Sequence, residues 1–465
     1  MRRINGRYYL YEYKTVYDPE RKRPKKVSGK ILGSITETDG FVESDKAKLR
    51  AGKVDTPLVV GPVRELGVSL FFLSRFGGYF EHLATAFPDD WREIALAAYC
   101  RLMFQSPIKN MPTHIHHSWL AESWHSVQTT DKRISLMLND IGKRRDQAVS
   151  YMRAFVHDDD YFLADSTHLP SKSSKIELSH KGYNNRGHHD PQINSLYIFS
   201  TQSRMPVFYR LHPGNIREIK AFRLTLEESG ISNGVAIADK GFHSAENVAM
   251  LKAESLRFVI PLRRSNKMLD YNTLSTNKFK EAENWFGHEG RFIWYREERA
   301  GDERAILYLD DVARLREETD YLRRIKTHPA THTKEKFLSR KDRFGTIAII
   351  TNVEDKTPQE LYLAYKSRMA IEEMFDSMKN VLEADKTYMQ NEDTLQGLMF
   401  VNHVALQFYQ QIYLFLKDND LNGKYSVKDF LTLLAHVRMV RVNGQWKQAE
   451  TTAAVAKMLA IATKT

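Results

Sequence analysis

Two acidic residues stand where strand-borne chemistry would want them. Asp165 follows the apolar run YFLA and Asp239 follows GVAIA, so each projects from the C-terminal region of a β-type segment. Asp239 runs directly into Lys240, Gly241 and Phe242, a tight exit that leaves a carboxylate open to a ligand. A lone Asp at such a place is ordinarily a turn former or helix cap, so the argument needs a third acid. The segment TPQELYLAYKSRMAIEEMFDSMKNVL reads as a long helix. At 100° per residue, Tyr365, Arg368, Glu372 and Lys379 fall in one stripe about 60° wide. Ile371, Phe375, Met378 and Leu382 form the neighbouring apolar stripe, and Glu373 falls well outside both. A mixed-charge stripe alone is usually a solvated face with i,i+4 pairs. Here the apolar stripe docks the helix on a sheet and turns Glu372, rather than Glu373, toward the strand-end aspartates.

Carboxylates converging without Cys or His are the hard-oxygen ligand set of Mg²⁺ or Mn²⁺. Two such ions, about 3.5 to 4 Å apart, activate a nucleophile and stabilise the leaving oxygen in phosphodiester displacement. Arg368 and Lys379 then face phosphate oxygens, and Tyr365 can donate a hydrogen bond.

The elements that must position these groups sit in a chain of 465 residues, 42% hydrophobic and 27% charged, which excludes wholesale disorder. Apolar runs are too short for a membrane span, and the N-terminus lacks the apolar stretch of a secretory signal. Cys100 is the single cysteine, so internal disulfides and Cys-rich zinc sites are excluded and a cytoplasmic setting is expected. The HIHH run (His114, His116, His117) has no Cys or carboxylate at ligand spacing.

The net charge is +11, with a sequence pI of about 9.3, which makes an acidic polymer a plausible partner. The first thirty residues hold ten Lys or Arg against Glu12, Asp18 and Glu20. Two β-prone runs flank DPERKRP there, giving a basic hairpin with Arg21, Lys22, Arg23, Lys25 and Lys26 as candidate phosphate contacts. The competing reading is a solvated edge kept soluble by its lysines and arginines.

The expected organisation has six parts: 1–56, a basic hairpin and linker; 57–155, an α-helical domain with possible DNA binding; 156–264, the first part of an α/β core; 265–344, an inserted β-rich subdomain; 345–392, the second part of the core with the glutamate helix; and 393–465, a helical C-terminal region. Within 161–262, three strands, a helix, a strand, a helix and a strand describe a mixed sheet with an antiparallel start and a parallel finish.

Asp165 in DST, Asp239 in DKGF and the spacing Tyr365-x2-Arg368-x3-Glu372-x6-Lys379 together resemble the DDE transposases of bacterial insertion sequences, in the branch with the Tyr-Arg-Glu-Lys signature. PGNIRE at 213–218 and the ADKGF block are also similar to that family, and the likeness spans about 161–390. The resemblance implies an RNase H-like catalytic domain, a mixed sheet flanked by helices, with Asp165, Asp239 and Glu372 as a triad holding two Mg²⁺ or Mn²⁺ ions. It also implies Tyr365, Arg368 and Lys379 near the scissile phosphate, and a β-rich insertion before the glutamate in which a tryptophan, Trp285 or Trp294 here, could hold a flipped base. Core packing is the plainer reading of both tryptophans. The implied function is cleavage at element ends and joining of the 3′-hydroxyl to target DNA. Double-stranded DNA, both terminal inverted repeats and target, is the partner, with a dimer in the synaptic complex, in a nucleoid-bearing cytoplasm and with no membrane. The alternatives are an RNase H-like nuclease without strand transfer and a non-catalytic DNA-binding repressor.

Overall fold

The computed structural model describes residues 1–465 except 5–6, 53–59, 126, 158–159, 183–189, 233, 238–243, 254, 267, 276–278, 281–282, 369–386, 388 and 465, and except the side chains of 218–219, 272 and 275. Two compact units are present: Met1–Arg64 with Arg438–Glu450, and Glu65–Val437 with Thr451–Thr465.

The larger unit is a mixed α/β structure built on a ten-stranded sheet. Its strands are β6 (Tyr161–Pro170), β7 (His180–Lys181), β8 (Pro191–Ser200), β9 (Met205–Pro213), β10 (Val235–Ile237), β11 (Arg257–Pro261), β12 (Trp285–His288), β13 (Arg291–Ala300), β14 (Glu303–Asp310) and β15 (Thr346–Thr351). The order is β12-β13-β14-β15-β11-β10-β6-β8-β7, with β9 also on β8. Strand β10 is parallel to β6 and β11, while β6/β8 and β8/β9 are antiparallel, as the alternation of strand and helix patterns requires. The helices Glu218–Ser229 and Ala245–Ala253 are the crossovers that parallel neighbours need.

One helix organises the rest. Glu392–Asp418 runs 27 residues and buries residues on every side, including Phe400, Val404, Phe408 and Phe415, the pattern of a helix enclosed by protein. Its buried polar side chains reach both neighbours. Arg101 donates to Asn402 Oδ1 (2.9 Å) and Tyr151 to Gln407 Oε1 (2.7 Å) on the helical side, while Gln407 and Gln410 donate to the carbonyls of Pro206 (3.0 Å) and Arg204 (2.9 Å) on the sheet side. Against helix Asp131–Lys143 the backbones nearly touch. A Cβ on Gly142 would lie 1.8 Å from the Asp393 carbonyl oxygen, and one on Gly397 would lie 1.9 Å from that of Leu138.

Several expectations need correction. The segment 265–344, expected as an inserted β-rich subdomain, continues the core sheet: β12, β13 and β14 are hydrogen-bonded through β15 into it, and the segment also carries the 17-residue helix Asp311–Thr327. All eight residues of β14 are buried because it lies between β13 and β15, with its charges Arg304 and Glu303 paired rather than solvated. The helices of 57–155 share one core with the sheet instead of standing alone.

In the smaller unit, β1 (Arg2–Ile4), β2 (Arg7–Asp18), β3 (Arg23–Thr36) and β4 (Gly40–Glu43) form a four-stranded antiparallel sheet around the expected hairpin. The expected linker therefore contains a strand and the short helix Asp45–Arg50, capped by Ser44. The C-terminal region is not wholly helical: β16 (Arg438–Val442) and β17 (Gln445–Gln448) pair across Asn443-Gly444, both at positive φ, and join β5 (Val60–Glu65). Among the described residues, no helix is long and apolar enough to cross a membrane.

Glu65 is a largely buried acid, with part of its surface still accessible, at the start of the larger unit. Its carboxylate accepts hydrogen bonds from the Val68 N–H (2.5 Å), the Ser69 hydroxyl (2.8 Å) and the Tyr99 hydroxyl (3.2 Å), and burial nevertheless pushes its pKa up to about 7.

Two predictions follow from the packing. Gly142→Ala and Gly397→Ala should each destabilise the chain by at least about 1 to 3 kcal/mol, because backbone rather than a flexible side chain blocks the added methyl. Gly78→Ala, which meets nothing within 4 Å, should be neutral or slightly stabilising, and denaturant unfolding of the three variants checks this. For Glu65, the folded chain keeps a proton that the unfolded chain releases near 4.5, so this group's contribution to stability falls as pH rises from about 4.5 to about 7. The loss is on the order of 3 kcal/mol, and Glu65→Gln should remove that component from the pH dependence of unfolding.

Candidate active site

Pairing across the parallel strands sets the level of each candidate residue. Ile237 of β10 faces Leu163 of β6 on one side and Val259 of β11 on the other. Two residues further along β6 is Asp165, exposed, with its Oδ1 accepting from the Ser166 N–H at 3.0 Å. Two residues beyond Val259 is Pro261, at the same level and about 10 Å away across two strand spacings. This is the carboxyl end of the parallel strands, where open α/β sheets place their ligands.

A cavity of about 570 Å³ opens at that end. Pro261 to Arg264 line it where they leave β11, together with Thr346 to Ala348 at the start of β15, Glu317 from helix Asp311–Thr327, and Tyr365, Lys366 and Arg368. Four cations and one acid give it a positive lining. The Arg264 guanidinium is fixed as part of the wall by a two-pronged bond to Glu317 (2.7 and 2.9 Å) and a bond to the Thr346 carbonyl (2.8 Å). The Lys366 ammonium lies over the Tyr362 ring at 5.6 Å.

The helical turns that deliver Tyr365 and Arg368 are anchored at their start. Thr357 and Glu360 form a reciprocal cap: the Thr357 N–H donates to Glu360 Oε2 (2.8 Å), and the Glu360 N–H donates to Thr357 Oγ1 (3.2 Å), with Pro358 at the first helical position. The Tyr308 hydroxyl donates to the Pro358 carbonyl (2.8 Å), and Tyr362 packs on Tyr308 and Phe286. Buried Arg304 holds the preceding loop through the carbonyls of Val353 (2.6 Å) and Lys356 (2.8 Å), while Glu297 takes its remaining donors. The sheet thus aims the helix before the stripe begins.

Of the expected site residues, Tyr365 and Arg368 come together in the cavity and Asp165 lies at the same end of the sheet. Asp239, Glu372 and Lys379 fall outside the described residues, as does Glu373. Among the described residues, no group of three or more His, Cys, Asp or Glu gathers as a ligand set. His114 instead stacks on Phe104. Trp285 and Trp294 pair with each other across the β12/β13 edge hairpin, six and five strands from β6. Arg21, Lys22, Arg23, Lys25 and Lys26 are all exposed along the N-terminal hairpin. Sequence reading missed Arg263, Arg264 and Lys366; the available signal was PLRR, a pair of arginines directly after a buried strand.

Comparison with known proteins adds the following. No curated protein matches the chain. A solved structure titled as a piggyBac transposase synaptic complex with hairpin DNA is similar at 11% identity, over 81% of this chain and 82% of that one, with a TM-score of 0.38, too low to bear on fold or activity. The family model described as "Transposase DDE domain" matches residues 157–408, from just before β6 into the central helix. That match takes in more than half of the chain, every strand of the ten-stranded sheet and the cavity at its carboxyl end, so the chain belongs to the DDE transposase domain family.

Proposed function

We propose that this chain is a transposase that cuts DNA at the ends of a mobile element and joins the freed 3′-hydroxyl to target DNA, using Asp165, Asp239 and Glu372 as metal-binding carboxylates. The observation that carries the reading is that Asp165 lies at the same carboxyl end of the sheet, and at the level of Pro261, as a cation-lined cavity holding Tyr365 and Arg368. Asp239 lies two residues past Ile237, as Asp165 lies two past Leu163. Glu372 follows Arg368 by four residues in the sequence. An exposed, all-oxygen donor such as Asp165 fits Mg²⁺ or Mn²⁺. A pair of such ions supplies activation of the attacking oxygen and stabilisation of the leaving one.

The chain's own groups supply the rest. Arg368, joined by Lys379 as the sequence spacing expects, neutralises charge on the phosphate as it becomes five-coordinate, and Tyr365 orients a phosphate oxygen. Arg263 and Lys366 extend that positive wall, while Arg264, tied to Glu317, holds its shape. Three antiparallel strands followed through helices by two parallel ones support an RNase H-like core in 156–264 and 345–392. The basic hairpin in 1–56 and the helices of 57–155 serve DNA ends, and a dimer joins two ends on cytoplasmic DNA.

Incubation of the full chain with Mg²⁺ and DNA carrying the genomic flanks of the reading frame should yield cuts with free 3′-hydroxyls and then joined products on sequencing. Asp165→Asn and Glu372→Gln should each lower cleavage at least about 100-fold with DNA binding nearly intact, and Glu373→Gln should be mild. Efficient cleavage with both ends present and no joined product would reject strand transfer, and equal losses in Glu372→Gln and Glu373→Gln would reject the choice of glutamate. Neutralising Arg21, Lys22, Arg23, Lys25 and Lys26 together should weaken DNA binding and flatten the slope of log K against log salt by about 0.9 per lost phosphate contact.

A further inference from the structure

The N-terminal hairpin has a shape that phosphate binding alone does not require. Near its base it is part of a sheet, since β1 pairs with Arg7–Tyr9 and β4 with Gly33–Thr36. Beyond Tyr13 it is a bare two-stranded ribbon. Tyr13 and Tyr17 are 63% and 62% exposed on one face, and Val16 and Val27 are 52% and 46% exposed on the other. A lone two-stranded ribbon gains little stability from itself, so large side chains exposed on both faces mark a surface built for contact. Irregularities in the pairing at Leu10/Tyr11 and Tyr11/Tyr13 sit where the ribbon leaves the sheet, and bulges there bend and twist it.

The pairing sorts the side chains. Tyr13 opposite Ser28, Thr15 opposite Lys26 and Tyr17 opposite Pro24 make one face. On it the Lys26 ammonium lies over the Tyr13 ring at 5.0 Å, so cation and aromatic already satisfy each other. Lys14 opposite Val27, Val16 opposite Lys25 and Asp18 opposite Arg23 make the other face. The acid on that face, Asp18, is engaged at the tip, where its carboxylate accepts the backbone N–H groups of Glu20 and Arg21. Lys14, Lys25 and Arg23 extend from it, interleaved with two valines.

We infer that this ribbon enters the DNA major groove and reads base edges with the Lys14, Val16, Arg23, Lys25 and Val27 face. The inference rests on the DNA-binding reading above and deepens it from phosphate contact to base recognition. The occupant is argued from charge and size. Residues 13–30 hold seven Lys or Arg against Asp18 and Glu20. The major groove, about 12 Å wide, admits a two-stranded ribbon as it stands, whereas the minor groove of about 6 Å takes one only when the duplex is deformed. Arg and Lys match the O6 and N7 acceptors of guanine, and valine methyls match the thymine methyl. Six residues from Tyr13 to Asp18 span about 17 Å, which corresponds to about five base pairs.

The test begins with selection of a duplex from a pool with a randomised centre, using the full chain. The selected duplex is remade with 7-deazaguanine, which lacks the major-groove N7, or with inosine, which lacks only the minor-groove amino group of guanine. We expect 7-deazaguanine within a block of about five base pairs to weaken binding about tenfold, and inosine to leave it unchanged. Arg23→Ala with Lys25→Ala should abolish the preference for that block, while Tyr13→Ala with Tyr17→Ala should retain it. Both pairs are exposed, so neither exchange threatens the fold. Indifference to 7-deazaguanine, sensitivity to inosine instead, or loss of the preference in the tyrosine variant alone would overturn the assignment. So would a pool that yields no enriched sequence. If any of these occurs while the salt slope still falls on neutralising the basic cluster, the phosphate-contact reading survives and the groove assignment fails; an unchanged slope removes both.

Discussion

Helix Glu392–Asp418 is enclosed by the helices of the N-terminal half on one side and by β9 on the other, and its burial is the contact through which the larger unit holds together. An isolated helix of mixed apolar and amide side chains has no reason to sit at one depth. Here Asn402, Gln407 and Gln410 each find a defined partner, and the paired glycines Gly142 and Gly397 bring two helix backbones into near contact. Hydrogen bonds to buried backbone carbonyls specify register, because a shifted helix would leave those groups unpaired. His403 lies in the same row. Burial, with Arg145 close by, holds its pKa down to about 3, so the imidazole packed against Tyr197 and Tyr209 stays neutral.

With the far side of the sheet fixed in this way, its carboxyl end can carry groups that would destabilise an ordinary core. Asp165 is exposed rather than buried, and the positive cavity at the same end of the sheet has in its wall Arg264, pinned by Glu317, while Arg304, pinned by Glu297, holds the loop before the helix. The separation of roles is physical. Paired cations build the wall and set the angle at which the helix leaves Thr357, and Lys366 and Arg368 on that helix line the cavity.

Much of this was legible in the residues. YFLADSTHL, PQINSLYIFST, MPVFYRLHP and RFVIPL are short, β-rich and bounded by turn formers, and each is a strand of the sheet in the expected order. TPQE announces its helix through a cap that the structure contains. What escaped reading was contact made at a distance. ERAILYLD and RFIWYREE look half-polar, and only the strands on either side of β14 show that Arg304 and Glu303 are buried in pairs. The VNGQ turn between β16 and β17 was a readable hairpin signal, hidden by the helical segments around it. The arginines after RFVIPL drew no attention because their role depends on which strand end they leave, a property of the sheet rather than of local pattern.

The position of the central helix in the chain also bears on synthesis. A ribosome adding about 5 to 20 residues per second takes roughly 20 to 70 s to go from Glu65 to Asp418, and until then the apolar faces prepared by Phe72, Tyr99, Met137 and β9 have no helix to close on. The core therefore closes late, after almost every other element has emerged. A message cut short anywhere before that helix makes a chain whose larger unit cannot complete its interior, so that unit is left to proteolysis or aggregation instead of persisting folded.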